Sequence, residues 1–410
     1  MDITYQIVTN LSCNLDCEYC YEKKYARNNK IDDVVDFIHA CFERDKERKD
    51  VDGVIIDIIG GEPFMQPKLL VAAFETAEML AKQYNKPYAF SLSTNGTLFN
   101  KQTSRDIIER WRDKLSIGVS IDGLPTNHDK YRIYANTGDG SYADAVAGYQ
   151  YLKSMNIREL GVKATFTVDT LPVYAASMKN LIDVTGGGSI IGNVVFENII
   201  TKDMAPFIAN QMIEVLEYWC SKGMHLDPRN TLFGLCPDGI NFDNLFNPAL
   251  REDLLNPDSE FRNSSDRIRP YCGSVKWMTC LGFDRNVYGC NRFMSSVTTR
   301  TAIAKLEGRT IVPIDNNKLY NEVENQYYDF PEECKACPLK HMCSSCAAAP
   351  YENKDGGDEA RAEYHSEKRQ CGWTFAKVIV AQWWRRKFGT YDRKTNTCSC
   401  NTCSCTKDSE

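Results

Sequence analysis

No part of the sequence offers a membrane-spanning run, since stretches of about 18 uncharged apolar residues do not occur. The N-terminal MDITYQIVTNLSC lacks the basic stretch and long apolar core of a secretory signal. A basic excess is missing as well: the formal net charge is -6, which argues against a general binder of phosphate backbones. The histidines, His128 and His341 among them, show no metal-ligand spacing. These absences predict a cytoplasmic protein with neither a membrane nor a nucleic acid as partner.

Cysteine is what the chain has in quantity, 18 in 410 residues. In a small secreted domain that would mean disulfides, but in a long chain without a signal peptide it points to metal or redox chemistry. Three cysteines lie near the start, eight between Cys272 and Cys371, and four in the last 13 residues. Only Cys41, Cys220 and Cys236 stand elsewhere; the first two fall in helical patterns and read as packing residues, and Cys236 lies in the bridge loop, for which facing the active-site cavity is one reading.

The first two hundred residues alternate short apolar runs with amphipathic stretches, the pattern of repeated βα units. Strands are predicted at ITYQIV, GVIIDII, YAFSLS, LSIGVSI, VKATFTV and NVVFEN, with crossover helices such as DDVVDFIHACFERDKER and PKLLVAAFETAEMLAKQY between them. Six units predict an α/β fold, a partial (β/α)6 TIM-like barrel, with an open doubly wound sheet as the alternative; either puts its site at the C-terminal ends of the strands. The expected divisions are a barrel over 1–202, a bridge over 203–265, a cysteine-rich domain over 266–375, and a last helix and tail over 376–410.

Cys13-x3-Cys17-x2-Cys20 follows the first strand. Iron-sulfur clusters take soft thiolate ligands, normally four, so three on one loop leave one iron for an exogenous ligand. A zinc knuckle, or three cysteines packed as small hydrophobes, is the alternative. The spacing resembles the signature of the radical S-adenosylmethionine superfamily.

Further motifs follow in that family's order. Gly60-Gly61-Glu62-Pro63 resembles its motif for gripping the amino group of the methionine moiety, through Glu62 or a freed carbonyl. Ser93-Thr94-Asn95-Gly96 and Ser120-Ile121-Asp122-Gly123, the latter followed by His128 and Arg132, resemble the strand-end motifs that bind ribose and the methionine carboxylate. Turn chemistry explains Asn95 and Asp122 equally well, and a surface salt bridge explains Arg132. Tyr19 stands where the family has an aromatic residue near the adenine. The resemblance implies an enzyme with S-adenosyl-L-methionine as cosubstrate, a 5'-deoxyadenosyl radical that abstracts a substrate hydrogen, and an external electron donor such as flavodoxin or ferredoxin.

Cys272-x7-Cys280-x9-Cys290 is followed by Cys334-x2-Cys337-x5-Cys343-x2-Cys346 and by Cys371. Eight thiolates suffice for two fully ligated [4Fe-4S] clusters, with two zinc sites as the alternative. The array resembles the SPASM domain, which implies an inner cluster on Cys272, Cys280, Cys290 and Cys346, an outer one on Cys334, Cys337, Cys343 and Cys371, and three [4Fe-4S] clusters in all. The last pair is one residue closer than usual in that family, and Asn286 replaces an expected glycine, which a left-handed turn tolerates.

Proteins with this domain act mostly on peptides, as anaerobic sulfatase-maturing enzymes or as maturases that crosslink ribosomally made precursors. The sulfatase-maturing family carries an Asp after its third inner-cluster cysteine; the matching Asn291 cannot act as a base, although Asp284 remains a substitute. The expectation is therefore a peptide maturase forming a thioether or carbon-carbon crosslink, with formylglycine formation and a non-catalytic zinc or iron-sulfur scaffold as rivals. The first strand begins within five residues of Met1, which predicts that leader recognition is weak, uses the barrel or bridge, or depends on a separate protein. The tail repeats Asn-Thr-Cys-Ser-Cys at 396–400 and 401–405, a polar segment that reads as disordered, with substrate mimicry, metal delivery or adventitious zinc binding as its possible uses.

Overall fold

The computed structural model describes residues 2–22, 26–196, 198–227, 230–232, 274, 277–294, 301–314, 346, 348, 370–388, 391–392 and 397–398. Cys272, Cys334, Cys337 and Cys343 lie outside the described residues, as do Cys236, His341, residues 233–265 of the expected bridge and nearly all of the tail. Contacts divide the chain into two compact units. One comprises Met1–Lys163, Arg267–Asp329 and Ser345–Tyr364; the other comprises Ala164–Asp266, Phe330–Ser344 and His365–Glu410. The division falls inside a strand, between Lys163 and Ala164.

The first unit is built on β1 (Ile3–Val8), β2 (Val54–Ile59), β3 (Tyr88–Thr94), β4 (Leu115–Ser120) and β5 (Glu159–Phe166), parallel and in sequential order. Helices α1 (Ile31–Asp45), α2 (Pro67–Gln83), α3 (Gln102–Trp111), α4 (Pro125–Tyr131) and α5 (Tyr142–Ser154) make the crossovers. Alternation fixes the faces. Val54, Ile56 and Ile58 are buried while Ile55, Asp57 and Ile59 are half-buried; Phe90 and Leu92 are likewise buried between half-buried Ser91 and Ser93. Phe74 of α2 stacks on Phe90 at 4.1 Å, and Trp111 closes on both rings.

The cysteine-rich segment adds to this sheet. β8 (Met278–Leu281) pairs in parallel with β1, and β9 (Asn286–Tyr288), β10 (Ala304–Glu307) and β11 (Thr310–Pro313) continue it antiparallel. The turn between β8 and β9 puts Asp284 and Arg285 at φ 56° and 62°, so the left-handed positions precede Asn286, which opens β9. Such backbone persists only where contacts fix it. Arg285 supplies them, donating to Asp33 at 2.5 Å, to Asp36 at 3.2 Å and to the carbonyl of Leu306 at 2.8 Å.

The second unit holds the end of β5, α6 (Tyr174–Thr185), β6 (Ser189–Val194), α7 (Ala205–Ser221) and β7 (Thr231–Leu232), which pairs in parallel with β6. β6 starts four residues before the expected NVVFEN. α9 (Cys371–Phe388) packs on α7, with Trp384 and Trp219 rings 6.5 Å apart. Among the described residues no helix is long and apolar enough to cross a membrane.

Candidate functional site

The loop after β1 carries Cys13, Cys17, Tyr19 and Cys20, and backbone bonds from several sides hold it. Asp16 N donates to Ile133 O at 2.8 Å, Glu18 N to Tyr131 O at 3.1 Å, and Ala135 N to Asn14 O at 3.0 Å. The segment after α4 is thereby laid against the cysteines, which sequence distance alone hides.

Gly60 and Gly61 end β2 against the same loop. Gly61 N donates to Asn10 O at 2.8 Å and Glu62 N to Ser12 O at 3.1 Å. A Cβ on Gly61 would stand 2.1 Å from the Ser12 carbonyl oxygen, so only glycine permits this approach. Pro63 opens a short 3-10 turn that Glu62 caps, with Pro63 and Phe64 buried.

The Glu62 side chain is fully buried and faces the scaffold. Oε1 accepts from Phe64 N at 3.1 Å and Thr94 Oγ1 at 2.8 Å, and Oε2 accepts from Asn95 N at 2.8 Å. Burial pushes the carboxyl up to about 7, against the pull of those bonds. The carboxylate thereby joins the ends of β2 and β3. Its carbonyl accepts from Asn10 Nδ2 at 3.2 Å.

Asn95 makes a turn and also reaches the cysteine loop. Its Oδ1 accepts from Thr97 N at 3.0 Å, while Nδ2 donates to Asn14 Oδ1 at 2.9 Å and lies 3.8 Å from Cys13 Sγ. Gly96, at φ 81°, lets the chain turn directly behind it. Ser93 accepts from Lys163 Nζ at 2.9 Å, and Ser120, half-buried, is in register with Lys163.

Asp122 and Arg132 form a buried ion pair rather than a surface one. Arg132 Nε donates to Oδ2 at 2.7 Å and Nη2 to Oδ1 at 3.2 Å, and Tyr19 Oη also donates to Oδ2. Arg132 Nη1 lies 3.9 Å from Cys17 Sγ, and the guanidinium sits 5.3 Å from the Tyr19 ring centroid. Burial works against the Arg132 charge, but Asp122, Tyr19 and Cys17 outweigh it and hold the pKa well above the usual arginine range. His128 fixes the strand end: its Nδ1 accepts from Asp122 N at 3.2 Å and its Nε2 lies 3.0 Å from Ser141 Oγ, which donates to Arg132 O at 2.8 Å.

Of the downstream cysteines, Cys280 on β8, Cys290 just before α8 (Asn291–Met294), and Cys346 pack in one apolar cluster of the first unit with Val8, Leu11, Phe283 and Tyr288. Burial, then Cys290 and Asp57, push the Cys280 thiol well up. Cys371 begins α9 and belongs to the second unit. Among the described residues no three His, Cys, Asp or Glu side chains gather closely enough to hold a metal ion. What fits iron and sulfide here is the donor chemistry, three cysteine thiols outside any disulfide on one loop.

Asn291 stands beside that loop. Its N–H donates to Gln6 Oε1 at 2.6 Å and its Nδ2 to Tyr21 Oη at 2.7 Å, one residue beyond Cys20. Asp284 is far more exposed, on the hairpin turn, and is ion-paired with Arg27. Sequence reading missed Asn10, Asn14, Gln6 and Lys163; their signal was polar residues at the inward parity or ends of apolar strands.

Residues 7–174 match the model described as the Radical SAM superfamily. The chain therefore carries a radical SAM domain, which uses S-adenosylmethionine and a [4Fe-4S] cluster, and it is an enzyme of that class. It is similar to the serine-type anaerobic sulfatase-maturating enzyme of Bacteroides thetaiotaomicron, 24% identical over 351 residues, 81% of this chain and 79% of that one. Its fold is similar to that of native anSMEcpe with bound AdoMet and Cp18Cys peptide, with a TM-score of 0.61 and 17% identity over 93% of this chain and 99% of that one. Streptococcus suis SuiB shares the fold at a TM-score of 0.56 and 16% identity, over 86% of this chain and 75% of that one; it has also been solved bound to precursor peptide SuiA.

Proposed function

We propose that this enzyme is a peptide maturase that forms a thioether or carbon-carbon crosslink in a ribosomally made precursor. Cys13, Cys17 and Cys20 would hold the radical-generating cluster. Cys272, Cys280, Cys290 and Cys346 would hold an inner auxiliary cluster, and Cys334, Cys337, Cys343 and Cys371 an outer one. When bound, the first cluster and S-adenosylmethionine together supply a 5'-deoxyadenosyl radical that takes hydrogen from the substrate. Gly60, Gly61 and Pro63 shape the strand end beside the cosubstrate, Ser93, Asn95 and Ser120 offer it hydroxyl and amide groups, and Tyr19 lends an aromatic face. Glu62, Asp122 and Arg132 hold those strand ends and the cysteine loop in place and complete the cosubstrate-binding set.

Asn291 carries the choice of reaction. It touches Gln6 and Tyr21 next to the cysteine loop, and its amide cannot accept a proton as the matching aspartate of the sulfatase-maturing family does. The likeness over 81% of the chain to a serine-type sulfatase-maturating enzyme favours a second reading, formylglycine formation.

Coexpression with a precursor peptide encoded beside the gene separates the two. A crosslink shows as loss of two hydrogens with no aldehyde trapped by a hydrazine; formylglycine gives the hydrazone. Replacing Cys13, Cys17 and Cys20 together with alanine should remove about four irons and all cleavage of S-adenosylmethionine. Retained cleavage overturns the proposal.

A further inference from the structure

Arg132 is held in a way that a helix terminus alone does not require. It follows α4, is 8% exposed, and meets Asp122 through two of its nitrogens, while Nη1 is turned to Cys17 Sγ at 3.9 Å. A buried ion pair contributes little to stability compared with apolar packing of the same volume, so stability alone does not account for this one. The backbone of both partners is clamped: Asn127 Nδ2 donates to Asp122 O at 2.9 Å, and Ser141 Oγ donates to Arg132 O at 2.8 Å. The guanidinium cannot turn away from the sulfur without giving up both carboxylate bonds.

A positive N–H donor at a ligating sulfur stabilises negative charge there, and so favours the reduced state of an iron-sulfur cluster. A carboxylate behind that donor opposes the effect. We propose that the Asp122–Arg132 pair sets the reduction potential of the cluster held at Cys17, with Arg132 raising it and Asp122 limiting the rise. Both act as positioning residues, through Cys17. This inference rests on Cys17 being a cluster ligand.

The test is an electron paramagnetic resonance titration of the anaerobically reconstituted full chain, following the signal that changes when S-adenosylmethionine is added; no peptide is needed. Arg132→Gln should lower the midpoint, with about a tenfold change in the reduction equilibrium, about 59 mV for one electron. Asp122→Asn should raise it, and Arg132→Lys, which keeps the charge, should stay near the wild type. Opposite shifts support the proposal, because a merely structural role would not give opposite signs. Loaded variants that titrate with the wild type, or shift together, overturn it. If Arg132→Gln does not take up iron, the Asp122→Asn midpoint alone decides. If the triple cysteine variant keeps the responsive signal, Cys17 is no ligand and the earlier reading fails first.

Discussion

The Glu62 carboxylate accepts three hydrogen bonds and its pKa is still pushed up to about 7, because burial outweighs them. His128 is displaced the other way, down to about 4, also chiefly by burial. The consequences for stability have opposite signs. The native state holds a proton on Glu62 that the unfolded chain releases above 4.5, so this group's contribution falls as pH rises from about 4.5 to 7. The unfolded chain takes a proton on His128 that the native state refuses, so its contribution falls as pH drops from about 6.5 to 4. From pH 5 to 7, Glu62→Gln should gain about 2 kcal/mol relative to the wild type and His128→Gln should lose about as much. Urea unfolding at the two pH values checks both.

Among elements, the end of β2 shows how a motif becomes geometry. The cysteine loop and the Gly60-Gly61 turn touch backbone to backbone, leaving no volume at Gly61 for a Cβ. Gly61→Ala should cost about 1–3 kcal/mol by overpacking, read from the denaturation midpoint, and should lower iron uptake at the first cluster. In the second unit, Trp384 is 5% exposed and packs near Trp219. Trp384→Ala should cost about 3–5 kcal/mol, measured by the same unfolding curve. β1 to β5 were legible because alternation and amphipathic spacing are local signals. β6 was read late because its opening Ser189 and Ile190 follow three glycines that mask the strand start. The left-handed residues Asp284 and Arg285 were not legible at all: distant Asp33 and Asp36 hold Arg285 there, not its own propensity.

At the scale of the molecule, the cysteines fall into different units. Cys280, Cys290 and Cys346 belong to the first, and Cys371 to the second. With the assignments proposed above, Cys280→Ser plus Cys290→Ser should remove about four irons and leave the S-adenosylmethionine-responsive signal in place. Cys371→Ser should remove a different set of about four, so that the combined variant loses about eight. Iron and sulfide analysis after reconstitution checks this; equal losses from the single set and the combined set would refute two separate clusters.

The chain of amino acids by itself determined the βα repeat, the three-cysteine loop behind the first strand and the order of the strand-end motifs, because each is written in periodicities and spacings of a few residues. Only the tertiary structure decided what those residues touch. It paired β8 with β1 across some 270 residues of chain, turned Glu62 inward, and tied Asp122 to Arg132 and Cys17. Register between distant strands and the burial of a charge depend on the whole packed core, and no local pattern encodes them.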